Sequence, residues 1–149
     1  MKNYRGKYLL ICTRIGLGSI FIAASVLKIV HPAEFAQIIH NYQILPDSMV
    51  NLTAIILPWL EALLGVLILF GIWLPGAAVV SNLLLLAFFS ALMFNLARGL
   101  NIHCGCFTTS VTGTPQTAWY IVRDSFFLLL GLGLLTQVFR KGPRSTIRI

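Results

Sequence analysis

Charge is what this 149-residue chain has least of. Its acidic residues number four (Glu34, Asp47, Glu61 and Asp124), and charged residues make up 10% of the total, against roughly 25% in an ordinary soluble domain. That shortage excludes a soluble globular domain, and a mean hydropathy of +0.88 excludes a disordered chain. Cysteine is also scarce. Three are present, too few for a disulfide-rich secreted scaffold. There is no long internal repeat and no low-complexity stretch.

The net charge of +7 is no nucleic-acid signature. Seven of the eleven basic residues lie at the ends: Lys2, Arg5, Lys7, Arg140, Lys141, Arg144 and Arg148. Basic residues in such places orient a membrane protein. The partner they imply is a lipid bilayer, with no nucleic acid.

Apolar sequence is what remains, at 58%. A helix crosses a hydrocarbon core with about 20 apolar residues. Four windows qualify, near Tyr8–Val30, Val50–Trp73, Ala77–Ala97 and Ala118–Phe139. The expectation is an all-α fold, an integral membrane four-helix bundle forming one domain over residues 1–149. Arg14 and the length of the first window argue for a retained span rather than a cleaved signal peptide. The basic ends place both termini in the cytoplasm. In a bacterium this predicts an inner-membrane, multi-pass protein whose segments His31–Met49 and Arg98–Thr117 face the periplasm.

The first of those segments carries Phe35, Ile38, Ile39 and Tyr42 at i, i+3, i+4, i+7, one face of a helix. Pro32 suits its start, Pro46 lies beyond its end, and Glu34 suits the positive end of the helix dipole. A short amphipathic interfacial helix over Ala33–Gln43 is expected, either as a plain lid or as a docking surface.

The second segment holds His103-Cys104-Gly105-Cys106-Phe107. Disulfides persist on the periplasmic side. Gly105 permits the tight bend that would bring two sulfurs together. So small a ring is strained, which makes its disulfide easy to reduce, and closing so short a loop stabilises little. Redox exchange is one reading of Cys104 and Cys106, with His103 as a proton acceptor. A passive disulfide is a second. A metal site of His103, Cys104 and Cys106 is a third, although zinc sites usually place two to four residues between paired cysteines. Cys12 sits most of a membrane thickness away and reads as a small buried packing residue.

Five charges fall in or at the edge of spans: Arg14, Lys28, Glu61, Arg123 and Asp124. Each costs roughly 2.5–3.5 kcal/mol at mid-span. Lys28, Arg98 and Arg123 lie toward the cysteine side and are expected to stabilise an anion there: a thiolate, a quinone oxygen or a partner's carboxylate. Lys28 and Arg98 have snorkelling to the headgroups as their alternative. Glu61 lies near mid-span, one turn after Pro58, and is expected to line a polar cavity or pair with Arg14 or Asn82. Arg123 and Asp124 are neighbours whose side chains diverge by about 100°, so each is expected to bond to another helix.

The stretch Asn41-Tyr42-Gln43-Ile44-Leu45-Pro46, then Leu57-Pro58-Trp59-Leu60-Glu61 with Gly65, then Arg98-Gly99-Leu100 leading to Cys104-Gly105-Cys106-Phe107, then Arg123-Asp124, resembles the MauE branch of the DoxX-like membrane proteins. The likeness runs from about Ile15 to Leu135. Two positions depart from the pattern, Thr108 and Ala24, where the family favours glycine. The resemblance implies a redox-type integral membrane protein. In the namesake it implies methylamine use, through maturation of a disulfide-rich dehydrogenase subunit alongside a periplasmic thioredoxin-like partner. The layout is also similar to that of quinone-reducing DsbB and VKOR enzymes, by analogy alone.

Together, residues and resemblance predict a membrane thiol–disulfide oxidoreductase. Cys104 and Cys106 exchange with a thioredoxin-like partner, quinone is a possible cofactor, and no resident metal is expected. A metal-handling protein and a non-catalytic assembly subunit are the rival readings.

Overall fold

The computed structural model describes residues 2–99 and 117–141. Among these the secondary structure is five helices and no strand: α1 (Lys2–Val30), α2 (Pro32–Asn41), α3 (Asp47–Phe70), α4 (Leu74–Ala97) and α5 (Thr117–Lys141). Four of them are long and apolar enough to cross a membrane, over Tyr8–Val30, Asp47–Phe70, Leu74–Ala97 and Trp119–Arg140. The chain is an all-α, multi-pass membrane helix bundle.

Local chemistry sets the helix ends. Pro46, with φ −65° and ψ 147°, is the last extended residue before α3, and Asp47 occupies the first turn. The helix therefore begins three residues before the expected Val50, where an acidic residue meets the dipole's positive end. Gly71 (φ 74°) ends α3. The Gly71 N–H donates to Ile68 O and the Ile72 N–H to Leu67 O, the pairing of a left-handed glycine cap. Trp73 is also left-handed (φ 45°), and Pro75 follows in the first turn of α4. The two spans are thus joined by Gly71–Trp73 alone, a turn as short as the apolar windows suggest but three residues earlier in the chain.

Helix α1 runs antiparallel to α3. They come close at Gly18 and Gly65, where a Cβ on Gly65 would lie 2.8 Å from Ile22 Cγ1 and 3.1 Å from Gly18 O. Small residues admit this backbone proximity. Helices α4 and α5 form a second antiparallel pair. Asn82 Nδ2 spans them, donating to Ala78 O (2.7 Å) and Gly131 O (2.9 Å). Leu17, Phe21, Leu64, Ile68, Ala78 and Leu134 belong to one buried cluster in the half nearer the α3–α4 turn. Cys12 is exposed. It shares the exposed α1 stripe with Ile15, Ser19, Ala23 and Val26, so the expectation of a buried packing residue is corrected.

Helix α2 caps the opposite end of the bundle and buries Phe35 and Ile38. Its first residue is Pro32, which lacks the N–H that would be orphaned there. It closes at Asn41, and Gln43 (φ 49°) turns the chain toward α3.

Candidate functional site

At the α2 end, the two buried charges of α1 and α3 meet. Lys28 Nζ lies 2.6 Å from Glu61 Oε1 and 2.7 Å from Oε2. Both side chains are almost fully buried, at 1% and 5% exposure. Side chains on a helix lean toward its N-terminus. On α1 that direction leads Lys28 inward from the α2 end, and on antiparallel α3 it leads Glu61 back toward that end. The heads therefore converge although their Cα positions suggest different depths. Lys28 does not snorkel outward, and the partner of Glu61 is neither Arg14 nor Asn82.

Two aromatic rings complete the lysine's surroundings. Its Nζ stands 4.9 Å from the ring centres of both Phe35 on α2 and Phe88 on α4. Such cation–π contacts strengthen when desolvated, to about 2 kcal/mol or more. Four elements thus converge on one ammonium group. Nothing in composition or spacing marked Phe35 and Phe88 as polar-site residues. Phe35 was legible as part of the apolar face of α2, and Phe88 only as one apolar residue of a span.

Lys28, Glu61 and Asp124 line one chamber of about 40 Å³, walled by Phe21, Phe88 and Phe127 among others. A chamber holds a water once it offers roughly 10–15 Å³ to the water's centre. Asp124 Oδ1 accepts hydrogen bonds from its neighbour Arg123, at 3.1 Å from Nε and 3.0 Å from Nη2. The expectation that these two would not bond to one another is corrected. A guanidinium on a long flexible stem folds back across the angle between adjacent helix positions. The same guanidinium lies 5.3 Å from the Tyr120 ring centre and 5.9 Å from that of Phe127.

The remaining candidates are spread apart. Arg98 ends α4 at the exposed rim, where its Nη2 lies 3.5 Å from Gln43 Oε1. Arg14 is at the far end of the bundle, with Nε donating to Ile68 O and Nη2 to Leu69 O, each at 3.1 Å. There it gives the Ile68 carbonyl a second donor beside the Gly71 N–H, and supplies the Leu69 carbonyl at the end of α3 with one. His103, Cys104 and Cys106 lie outside the described residues, as does any metal site they would form. Of the helices that flank their segment in sequence, α4 ends and α5 begins at the α2 end. Among the described residues, no group of three or more His, Cys, Asp and Glu side chains is placed to hold a metal ion.

Beside the polar chamber is a larger apolar cavity of about 270 Å³, under α2 and between α3 and α4. Phe35, Ile38 and Tyr42 of α2, Leu57 of α3, and Phe88 and Ala91 of α4 are among its walls. Phe88 lines both spaces.

These features define a class: a four-span, all-α membrane bundle with an ion pair sealed beneath an interfacial helix. Comparison with known proteins narrows it. The chain belongs to the MauE family, whose model, described as methylamine utilisation protein MauE, matches residues 6–137. It is 35% identical to the methylamine utilization protein MauE of Paracoccus denitrificans, over 89% of this chain and 71% of that protein. It is 31% identical to the protein of that name from Methylorubrum extorquens, over 75% of this chain and 60% of the relative. The corresponding Methylophilus methylotrophus protein is 34% identical over 70% of this chain and 55% of its own length. The chain thus spans little more than half to about seven tenths of these relatives. No solved structure matches it.

Proposed function

We propose that this chain is a membrane thiol–disulfide exchange protein serving methylamine utilisation, with Cys104 and Cys106 as its exchanging pair. The observation that carries this reading is the Cys-Gly-Cys sequence in the connection between two membrane spans of a MauE-family chain. One thiolate attacks a disulfide of a periplasmic thioredoxin-like protein and forms a mixed disulfide. The second cysteine then resolves it, so one disulfide is exchanged for another with no net loss of electrons. His103 accepts the thiol proton. Arg98, at the exposed rim, and Arg123 favour the thiolate. Lys28 serves differently, since the anion it holds is the Glu61 carboxylate. The exchange supports maturation of a periplasmic, disulfide-bearing enzyme from the outer face of the bacterial inner membrane.

The test is thiol trapping in intact cells with a membrane-impermeant maleimide, before and after mild reduction. Two adducts, at Cys104 and Cys106, are expected only after reduction. A Cys106→Ser variant is expected to accumulate a mixed disulfide with its partner. Cysteines that stay unreactive after reduction would sink the reading. Full support of enzyme maturation by a Cys104→Ser/Cys106→Ser double variant would instead favour a non-catalytic assembly role. Stoichiometric copper or zinc, lost on Cys104→Ser, would favour metal handling.

A further inference from the structure

The polar chamber and the apolar cavity share the Phe88 wall, and nothing in the exchange chemistry uses either. The larger space is the size of a small-molecule site, with apolar and aromatic walls. It lies in the membrane-spanning part of the bundle, where α3 and α4 leave a gap beneath α2. A molecule entering there must be lipid-soluble. The chamber on the other side of Phe88 is built differently. Lys28 is buried and has three N–H donors. Two are directed at the Glu61 oxygens. The third has no oxygen acceptor among the described residues and sits between the rings of Phe35 and Phe88. A buried charged donor left over is suited to a neutral carbonyl oxygen, because a second carboxylate would leave the site with excess negative charge. The Glu61 carboxylate beside it can accept a hydroxyl proton. Flat aromatic walls, a spare charged N–H and an adjacent carboxylate together fit a planar ring that alternates between carbonyl and hydroxyl.

We infer that the apolar cavity beneath α2 binds a lipid-soluble p-quinone, with its ring against Phe35 and Phe88 and one ring oxygen accepting the third N–H of Lys28. Reaching that position requires the Phe88 ring to swing aside and join the two spaces. The inference rests on the proposed thiol–disulfide exchange for its purpose. Two thiols closing to a disulfide release two electrons and two protons, and a p-quinone becoming a hydroquinone takes up two of each. The reverse exchange balances equally. Lys28 and Glu61 face the ring from α1 and α3, and Asp124, held by Arg123, faces the chamber from α5. From α2 and α4 the facing side chains are Phe35 and Phe88, which are not titratable.

The test uses the purified full chain in lipid nanodiscs, a photoreactive azidoquinone as label and decylubiquinone as competitor. Saturable labelling is expected, mapped to peptides containing Phe35–Tyr42 and Leu84–Ala91. Ala91→Trp, which fills the cavity, is expected to lower labelling about tenfold, while Leu129→Trp on the exposed face of α5 leaves it unchanged. The Lys28→Met/Glu61→Leu double variant removes both charges without orphaning either. It is expected to weaken decylubiquinone competition about tenfold, the loss of one charged hydrogen bond. The peptide map needs no variant, so misfolding of any one variant leaves the proposal open to refutation. Labelling that does not saturate, or that maps elsewhere, overturns it. So does equal labelling by a photoreactive phospholipid, insensitive to the double variant, which would make the cavity an acyl-chain site. If the quinone site fails while Cys104 and Cys106 still exchange, the proposed function stands. If quinone binds and the cysteines are inert, the binding site stands without that function.

Discussion

Lys28 and Glu61 reach one another from helices that run in opposite directions, each leaning along its own helix toward the other. The ion pair is therefore a product of antiparallel pairing as much as of sequence. Its energetics are asymmetric. Removing one charge leaves the other buried and unpaired, which costs about 3–5 kcal/mol, whereas replacing both with apolar groups is neutral or stabilising. Lys28→Met and Glu61→Leu are each expected to destabilise by that amount, and the double variant to recover nearly all of it. Unfolding by sodium dodecyl sulfate titration in mixed micelles measures all three. Additive losses in the double variant would contradict the pairing.

The Gly18–Gly65 crossing makes a separate prediction. A methyl group at Gly65 would press on Ile22 and on the Gly18 carbonyl. Overpacking of this kind costs about 1–3 kcal/mol. Gly133 offers the control, since a Cβ there meets nothing within 4 Å. Gly133→Ala is expected to stabilise by about 0.5–1 kcal/mol through helix propensity alone. Thermal midpoints in detergent should therefore move in opposite directions for Gly65→Ala and Gly133→Ala.

At the far end, Gly71 holds a left-handed conformation (φ 74°), and a side chain there would collide with the Arg14 guanidinium. Gly71→Ala is expected to cost at least about 1–2 kcal/mol from the backbone alone. Removing the arginine relieves the collision. Gly71→Ala should therefore be less damaging in an Arg14→Met background than in the parent chain, a non-additivity readable from a double-mutant cycle.

For the proposed exchange, Arg98 is the cation to test first, because it is exposed at the bundle rim. A nearby cation raises the thiolate fraction of a cysteine. After mild reduction, Arg98→Gln is expected to slow maleimide labelling of Cys104 and Cys106 at neutral pH by less than about tenfold, the range of about one charged contact. Cys12→Ser should leave that rate unaltered. An unchanged rate in Arg98→Gln would remove Arg98 from the site.

The four spans and the short helix α2 were legible because bilayer thickness and the 3.6-residue period act directly on residue order. Both ends of α3 and the start of α4 moved from their apolar windows because Pro46, Gly71 and Trp73 impose backbone conformations that hydropathy does not sense. The Lys28–Glu61 contact was hidden for a different reason. Depth along a span is counted at Cα, while a lysine head group lies several bonds away, in a direction set by helix polarity. Arg123 and Asp124 show the same limit: helical angle separates their Cβ atoms but does not fix where a long side chain ends. The aromatic partners Phe35 and Phe88 depend on which helices become neighbours, and no local pattern encodes that.

Arg14 holds α3 by its last carbonyls, and Lys28 holds it by Glu61 nearly four turns away along α1. Two grips so far apart fix the axial register of α1 on α3. A slip of one turn, about 5.4 Å, would break both at once. Sliding of α1 along α3 is therefore opposed at both ends of the pair. The open space lies on the other side of α3, between it and α4, where the apolar cavity sits under α2.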